Sequence, residues 1–371
     1  HHDPANAAQF LQPRLRNLSD PFLLPDMAVA VERIFHAREH GEAVTVFGDY
    51  DVDGVTSVTI LLEVFQHLGI RAAAYLPHRM DEGYGLTRDA VETCLQRHPA
   101  RLLLAVDCGS TAVEVIAELR ASAVEVIVLD HHQVSEPRPA ALALVNPQVS
   151  RPDARPHDGG DGSNGIRDSN ESPSFRELCS AGLAFKLAHA LIKRGRERGL
   201  APALEFDVRG LLDLVALGTV ADLVPLVGEN RILVTAGLAR LGNTPRPGLQ
   251  ALKEVAGVSG AVGVYEVGFQ LGPRLNAAGR LENARRALQL LTAGSLDEAL
   301  PIARELDARN RERQRIEKTM VDEVCADLRN RFVPEEHFVI VEGRLLWHVG
   351  VVGIVASRVM REFYRPTLII G

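Results

Sequence analysis

The sequence predicts an α/β fold: a parallel-sheet domain over 1–295, a long connecting helix over 296–331, and the opening of a second, incomplete α/β domain over 332–371. Three observations predict it. Short apolar, strand-like runs alternate with helical runs through the first half. A heavily charged helical pattern with neither Gly nor Pro after Pro301 continues to about Arg331. The alternation then resumes at His337. Strands separated by helices pair in parallel, because each crossover carries the chain back along a face of the sheet.

The runs AVTVF (43–47), AAAYL (72–76), LLLAV (102–106) and VEVIVL (124–129) read as strands, and 26–40, 55–68, 87–96 and 112–121 as helices. The span 151–175 is rich in Gly, Asp, Ser, Asn and Pro and has no apolar period, which predicts a mobile surface insert. Helical spacing returns at 178–194 and 208–223. Toward the end, FVIVEG, RLLWHVG, VVGIVASRVMREF and PTLIIG predict the order β–β–α–β. A domain that stops at Gly371, directly after a strand, leaves its sheet unclosed, so a longer parent protein is expected.

With 46% hydrophobic and 24% charged residues in 371, the composition is that of an ordinary globular protein of two or three packed domains. No apolar run is long enough to span a bilayer, so no membrane partner is expected. No basic segment followed by an apolar core opens the chain, and His1-His2 read as a tag remnant. The four cysteines, Cys94, Cys108, Cys179 and Cys325, form no CxxC pair. That argues against a zinc knuckle or a disulfide framework and for a cytoplasmic location. The net charge of −7 argues mildly against broad nonspecific nucleic-acid binding, although basic patches can be local.

Four segments place acids or imidazoles just after an apolar run: Asp49-Tyr50-Asp51-Val52-Asp53-Gly54, Asp107-Cys108-Gly109, Asp130-His131-His132, and Gly218-Thr219-Val220-Ala221-Asp222. Ligands of an open parallel sheet bind beyond the carboxyl ends of its strands, where the first three segments fall. The fourth lies on a helix that must face the same edge. Turn or cap chemistry explains any one of these alone, but not all four at one edge. The pattern DxDxDG also suggests a calcium loop, yet the twelfth position from Asp49 is Ile60 rather than Glu. Carboxylates with one or two imidazoles and no thiolate suit Mn²⁺ or Mg²⁺, and crowded aspartates need cations to neutralise them. Two such ions form a clamp for displacement at phosphorus.

These four segments resemble motifs I to IV of the DHH phosphoesterase family, named for a triplet like Asp130-His131-His132. Pro77-His78-Arg79, Glu82-Gly83-Tyr84-Gly85-Leu86, Pro273 through Arg280, and Trp347-His348 through Ser357-Arg358 are similar to the branch of that family specific for single-stranded DNA. The resemblance covers nearly the whole chain apart from the 151–175 insert. It implies a two-ion (Mn²⁺ or Mg²⁺) exonuclease on single-stranded DNA, acting 5′ to 3′ and releasing 5′-mononucleotides in DNA repair and recombination. A single-strand-binding protein and a helicase are the implied partners. Asp51, Asp53, Asp107, Asp222 and one of His131 and His132 become metal ligands, with Asp107 bridging, Asp49 supporting them and Asp130 orienting a histidine. Phe47 stands where some relatives carry a metal-binding histidine. The competing readings are a phosphodiesterase of oligoribonucleotides or cyclic dinucleotides, and a replication scaffold without catalysis; the latter should have lost ligands.

Substrate contacts are expected from Arg79, Arg274, Asn276, Arg280, Ser357 and Arg358, because arginine forks suit phosphate oxygens. Arg274 and Arg280 flank what reads as a Gly/Ala-rich turn open to a ligand. Arg280 is expected to hold the scissile phosphate, which would place it among the catalytic residues with Asp130, His131 and His132. Tyr84 could stack on a base, and His348 could meet a phosphate; a packed turn and a loop histidine are the plainer alternatives. No Ser or Cys sits beside a base, so water is the expected nucleophile.

Overall fold

A computed structural model of the chain describes residues 10–149, 175–281 and 284–371. Helix α1 (Met27–Glu39) leads into β1 (Val44–Gly48), α2 (Val52–His67) and β2 (Ala72–Tyr75). Then come α3 (Arg88–Arg97), β3 (Leu102–Val106), α4 (Val113–Ala121), β4 (Glu125–Leu129) and β5 (Ala143–Val145). The five strands are all parallel, in the order β2-β1-β3-β4-β5. β1 and β3 are buried along their whole length, which is why they read as continuous apolar runs rather than alternating ones. Helices α1 and α2 cover one face; α3 and α4 pack on the other, where Val91, Cys94, Ile116 and Leu119 meet Leu103, Ala105, Val126 and Val128. The chain runs outward from β1 to β2 and then crosses to β3. The carboxyl ends of β1 and β3 therefore flank the switch point of the sheet, where open α/β folds form a crevice.

A helical layer follows: α5 (Ser180–Glu197), α6 (Leu212–Ala221), α7 (Gly228–Gly242), α8 (Pro247–Ala256), α9 (Gly272–Leu281) and α10 (Arg285–Leu291). α5 and α6 pack against α2 and extend its core. α11 (Leu296–Arg331) is a single helix. Ser295 caps it by accepting from the backbone N–H of Glu298 at 3.2 Å, while the Glu298 carboxylate reaches back to the N–H of Gly294 at 3.0 Å. The last part comprises β6 (Ile340–Gly343), α12 (Val349–Phe363) and β7 (Thr367–Ile370), with β6 and β7 parallel. Its small core joins Met320, Val324 and Leu328 of α11 to Ile340, Trp347, Val351, Val355 and Val359.

Two expectations change. RLLWHVG is not a strand, so the last part is β–α–β. Leu345 and Leu346 are both exposed, the N–H of Trp347 closes a turn on the Arg344 carbonyl at 3.1 Å, and His348 caps α12. The small residues 277–279 form no turn but lie within α9, where Gly279 lets the Tyr50 backbone approach closely. β5 has only three residues, after a proline-broken stretch, and gives too little pattern to be read from sequence. The expected insert lies outside the described residues except for Phe175, which is buried in the core.

Candidate metal centre and cleft

At the end of β1 the chain passes into Asp49, which is buried, and then into Asp51, the N-cap of α2, whose Oδ1 accepts from the N–H of Gly54 at 3.0 Å. Asp53 lies in the first turn of α2 and is fully buried. β3 ends at Asp107 in the left-handed region, φ +63°, a conformation that Asp tolerates better than most residues and that is common at functional sites. β4 delivers Asp130, His131 and His132, and the C-terminus of α6 delivers Asp222. The structure thus brings all four sequence segments to one place. His131 Nε2 lies 3.4 Å from Asp107 Oδ1, 3.6 Å from Asp222 Oδ2 and 3.9 Å from Asp53 Oδ2. His132 lies beside that cluster and is engaged by Asp130, with Nδ1 2.7 Å from Asp130 Oδ1.

The donor set fits hard divalent cations. Asp49 Oδ1, His131 Nε2 and Asp222 Oδ2 are buried and make no hydrogen bond among the described residues, an arrangement that costs free energy unless an ion supplies the missing partner. Potential ligand atoms gather in three groups: Asp107 with His131 and His132, Asp49 with Asp51 and Asp107, and Asp53 with Asp222 and Cys179. Asp107 is shared by two of them, as a bridging carboxylate must be. Cys179 brings no thiolate: burial and the charge of Asp53 push its pKa well up, and its Sγ–H points to Thr219 Oγ1 at 3.4 Å.

The electrostatics say the same. Burial, then the Asp51 charge, pushes Asp49 and Asp53 up to about 7. Burial, then Asp53 and Asp51, raises Asp222 to about 8, and Asp107 is raised well above its ordinary range by burial and the surrounding acids. Burial and the neighbouring His132 lower His131 to about 4, so it presents a neutral imidazole. Donating its Nδ1–H to the Asp130 carboxylate raises His132 to about 9 and keeps it cationic. Asp130 would be raised by burial, but its bonds to His132 and Ser110 outweigh that and hold it at about 2.

Sequence reasoning missed the support for this cluster. The N-terminus of α5 is aimed at it: Ser180 N–H donates to Asp53 Oδ2 at 2.7 Å, Ala181 N–H to Asp53 Oδ1 at 2.8 Å, and Ser180 Oγ–H to Asp107 Oδ1 at 2.9 Å. Exposed helix N–H groups attract carboxylates. The one available signal was the small-residue run Cys179-Ser180-Ala181-Gly182 opening a helix. Ser110 and Asn146, joined at 2.8 Å, complete the hydrogen bonding behind Asp130 and His132.

The other expected site residues divide. Arg79 lies over the Tyr50 ring at 5.1 Å, and Tyr84 meets Tyr50 edge-on at 6.0 Å; these residues border the Asp49–Asp53 loop. Tyr84 also lines a pocket of about 500 Å³ with Ser110, Asp130 and His132. Asn276 Oδ1 accepts from the N–H of Val52 at 3.1 Å, and Gly279 packs so closely that a Cβ there would lie 2.6 Å from the Tyr50 carbonyl. Both tie α9 to the aspartate loop. Asn276, Arg280, Ser357 and Arg358 line a second cleft, of about 660 Å³, between α9, α11 and α12. Ser357 Oγ–H donates to the Gly353 carbonyl at 3.0 Å, and Arg358 pairs with Glu317. Arg274 is taken up by Asp307, at 2.9 Å, and the Gln270 carbonyl. His348 Nδ1 accepts from the N–H of Gly350 at 3.1 Å.

The model of the DHH family's N-terminal domain matches residues 43–219, the span holding the first three ligand segments and reaching into the fourth. A crystal structure of exonuclease RecJ bound to manganese superposes with a TM-score of 0.77 at 35% identity, covering 95% of this chain and 81% of that one. The chain belongs to the RecJ branch of the DHH family. Among curated relatives of that branch it is 36% identical to the single-stranded-DNA-specific exonuclease RecJ of Bacillus subtilis over 371 residues, which is 100% of this chain and 43% of the relative. It is 37% identical to RecJ of Escherichia coli, covering 98% of this chain and 61% of that protein. The chain therefore spans about half the length of these relatives. No described helix is long and apolar enough to cross a membrane.

Proposed function

We propose that this chain is the catalytic core of a metal-dependent exonuclease that hydrolyses single-stranded DNA. The buried, mutually facing carboxylates and imidazole at the β1/β3 switch point carry the reading, with the RecJ relatives as support. Asp51, Asp53, Asp107, Asp222 and His131 would hold two ions, Mn²⁺ or Mg²⁺, with Asp107 between them and Asp49 in support. When bound, such ions neutralise the phosphodiester oxygens and make water more acidic.

The chain's own residues do the rest. The N-terminus of α5 fixes the Asp53 and Asp107 carboxylates before any ligand arrives. Asp130 fixes the His132 ring and its charge beside the pocket that Tyr84 lines, where an imidazolium can hold a phosphate oxygen or give a proton to the leaving oxygen. Arg280 reaches the cleft from the end of α9 and would steady the scissile phosphate. Arg79, Arg274, Ser357 and Arg358 are proposed as further substrate contacts, His348 as a weaker one, and Asn276 as a residue that positions the aspartate loop.

The proposed organisation is a catalytic domain over 1–295, the helix 296–331 as connector, and 332–371 as the start of a second domain, with the cleft between them admitting one strand and not a duplex. Polarity is proposed as 5′ to 3′ with release of 5′-mononucleotides, and a single-strand-binding protein and a helicase as partners in repair and recombination. The test is digestion of end-labelled single strand with Mn²⁺, beside duplex, short RNA and cyclic dinucleotides, by wild type and Asp107→Ala. Loss of single-strand degradation in the folded variant supports the reading. Preference for cyclic dinucleotides or short RNA, or near-normal turnover by Asp107→Ala, overturns it.

A further inference from the structure

Resting on that reading, we infer that Tyr265 and Phe269 form a platform on which bases of the incoming single strand stack, outside the metal centre. The two rings stack on each other, centroids 5.2 Å apart and 28° from parallel, and they are 61% and 72% exposed. Two neighbouring large aromatics left in water give up the burial that usually justifies them, so the exposure itself asks for a partner. Tyr265 caps and Phe269 lies within a π-helical turn, Glu266–Leu271, a distortion that recurs at functional sites.

The occupant follows from what lies beside them. Phe269 is at the rim of the 660 Å³ cleft, and Pro273, Asn276 and Arg280 continue its wall. At about 1.5 Å per residue, this stripe runs on the order of 10 Å from Phe269 to Asn276, which holds the aspartate loop. The facing wall carries Arg313, Arg358 and Arg361. Glu317, the acid among the lining residues, is already engaged by Arg313 at 2.7 Å and by Arg358. A cationic groove whose wall includes Asn276, bonded to the aspartate loop, and the bare face of Phe269 matches a polyanion carrying unpaired planar bases. Arginines follow the backbone and rings take the bases, without need of sequence. A protein partner of the same patch would have no use for the continuous arginine wall, and a duplex offers no base faces.

The experiment measures binding of an oligothymidylate, and of an abasic strand of equal length, to the whole chain by fluorescence anisotropy with the metal withheld. The variants are Phe269→Ala, Phe269→Leu, Phe269→Trp and Tyr265→Ala, with single-strand degradation measured in parallel. Because both side chains are exposed, these changes leave the core untouched. Stacking predicts about tenfold weaker oligothymidylate binding for the Ala variants. It also predicts a similar loss for Phe269→Leu despite its apolar bulk, retention by Phe269→Trp, and no change with the abasic strand. Unchanged affinity in both Ala variants, or an equal loss on the abasic strand, overturns the platform while leaving the exonuclease reading in place. A wild-type chain that neither binds nor degrades single strand overturns both.

Discussion

Asp107 holds a left-handed backbone conformation so that its carboxylate can face Asp49 and Asp51 on one side and His131 on the other. Its orientation comes from Ser180, a residue on another helix. Removing that hydroxyl leaves every proposed ligand in place yet frees one carboxylate, so Ser180→Ala is expected to weaken Mn²⁺ binding about 10–100-fold; titration calorimetry reads this directly. Arg280→Ala should lower turnover about 10²–10³-fold with Mn²⁺ affinity unchanged. If saturating DNA restores the wild-type rate, Arg280 only positions the strand. Proton linkage gives a third test. In the metal-free fold, Asp49, Asp53 and Asp222 keep protons up to about 7, 7 and 8, against 3.8 ordinarily. The folded state then binds more protons than the unfolded one, so stability falls as pH rises through that window. His132, raised to about 9, adds a fall in the same direction above 6.5. Melting temperature in chelator should therefore drop from mildly acidic to mildly alkaline pH. The increment restored by Mn²⁺ should grow over the same range; an increment indifferent to pH would remove the carboxylates from the ligand set.

Three helices converge on the aspartates because small residues let them. A Cβ on Gly218 of α6 would lie 2.4 Å from Thr56 Oγ1, 2.6 Å from the Ala181 side chain and 3.0 Å from Asp53 Oδ1. Gly218→Ala thus presses α6 away from both α2 and α5. We expect a loss of about 1–3 kcal/mol in denaturant unfolding, together with weaker Mn²⁺ binding because Asp222 rides on the same helix. A variant that loses stability but keeps full metal affinity would show that Asp222 is not held by this packing. The same argument explains where the sequence misled. Ala277, Ala278 and Gly279 looked like a turn because their composition suits one, but they lie within a helix, and Gly279 is where that helix meets Tyr50. Composition does not separate these two uses of small residues. The strands and flanking helices were legible because burial on both faces writes a continuous apolar run, and burial on one face a helical period.

Across the molecule, a buried charge pair ties distant segments to the helical layer. Lys186 of α5 is wholly buried, with Nζ 2.6 Å from Glu229 of α7 and 2.9 Å from the Ser19 carbonyl. Glu229→Ala strands that ammonium and should cost about 3–5 kcal/mol in chemical denaturation; a loss under 1 kcal/mol would mean water replaces the carboxylate. By itself the sequence determined the parallel α/β architecture, the long helix and the acidic and imidazole residues that gather at one edge, because strand ends, apolar periods and ligand types are local properties of the chain. It left open which histidine faces the carboxylates, and it gave no sign that Ser180 and Ala181 orient them or that Arg274 would be held by Asp307. Nor did it show that Tyr265 and Phe269 stand bare beside an arginine-lined cleft. Those depend on which side chains the sheet order and helix packing bring within a few ångströms of each other, and such distances between remote segments exist only in the folded chain.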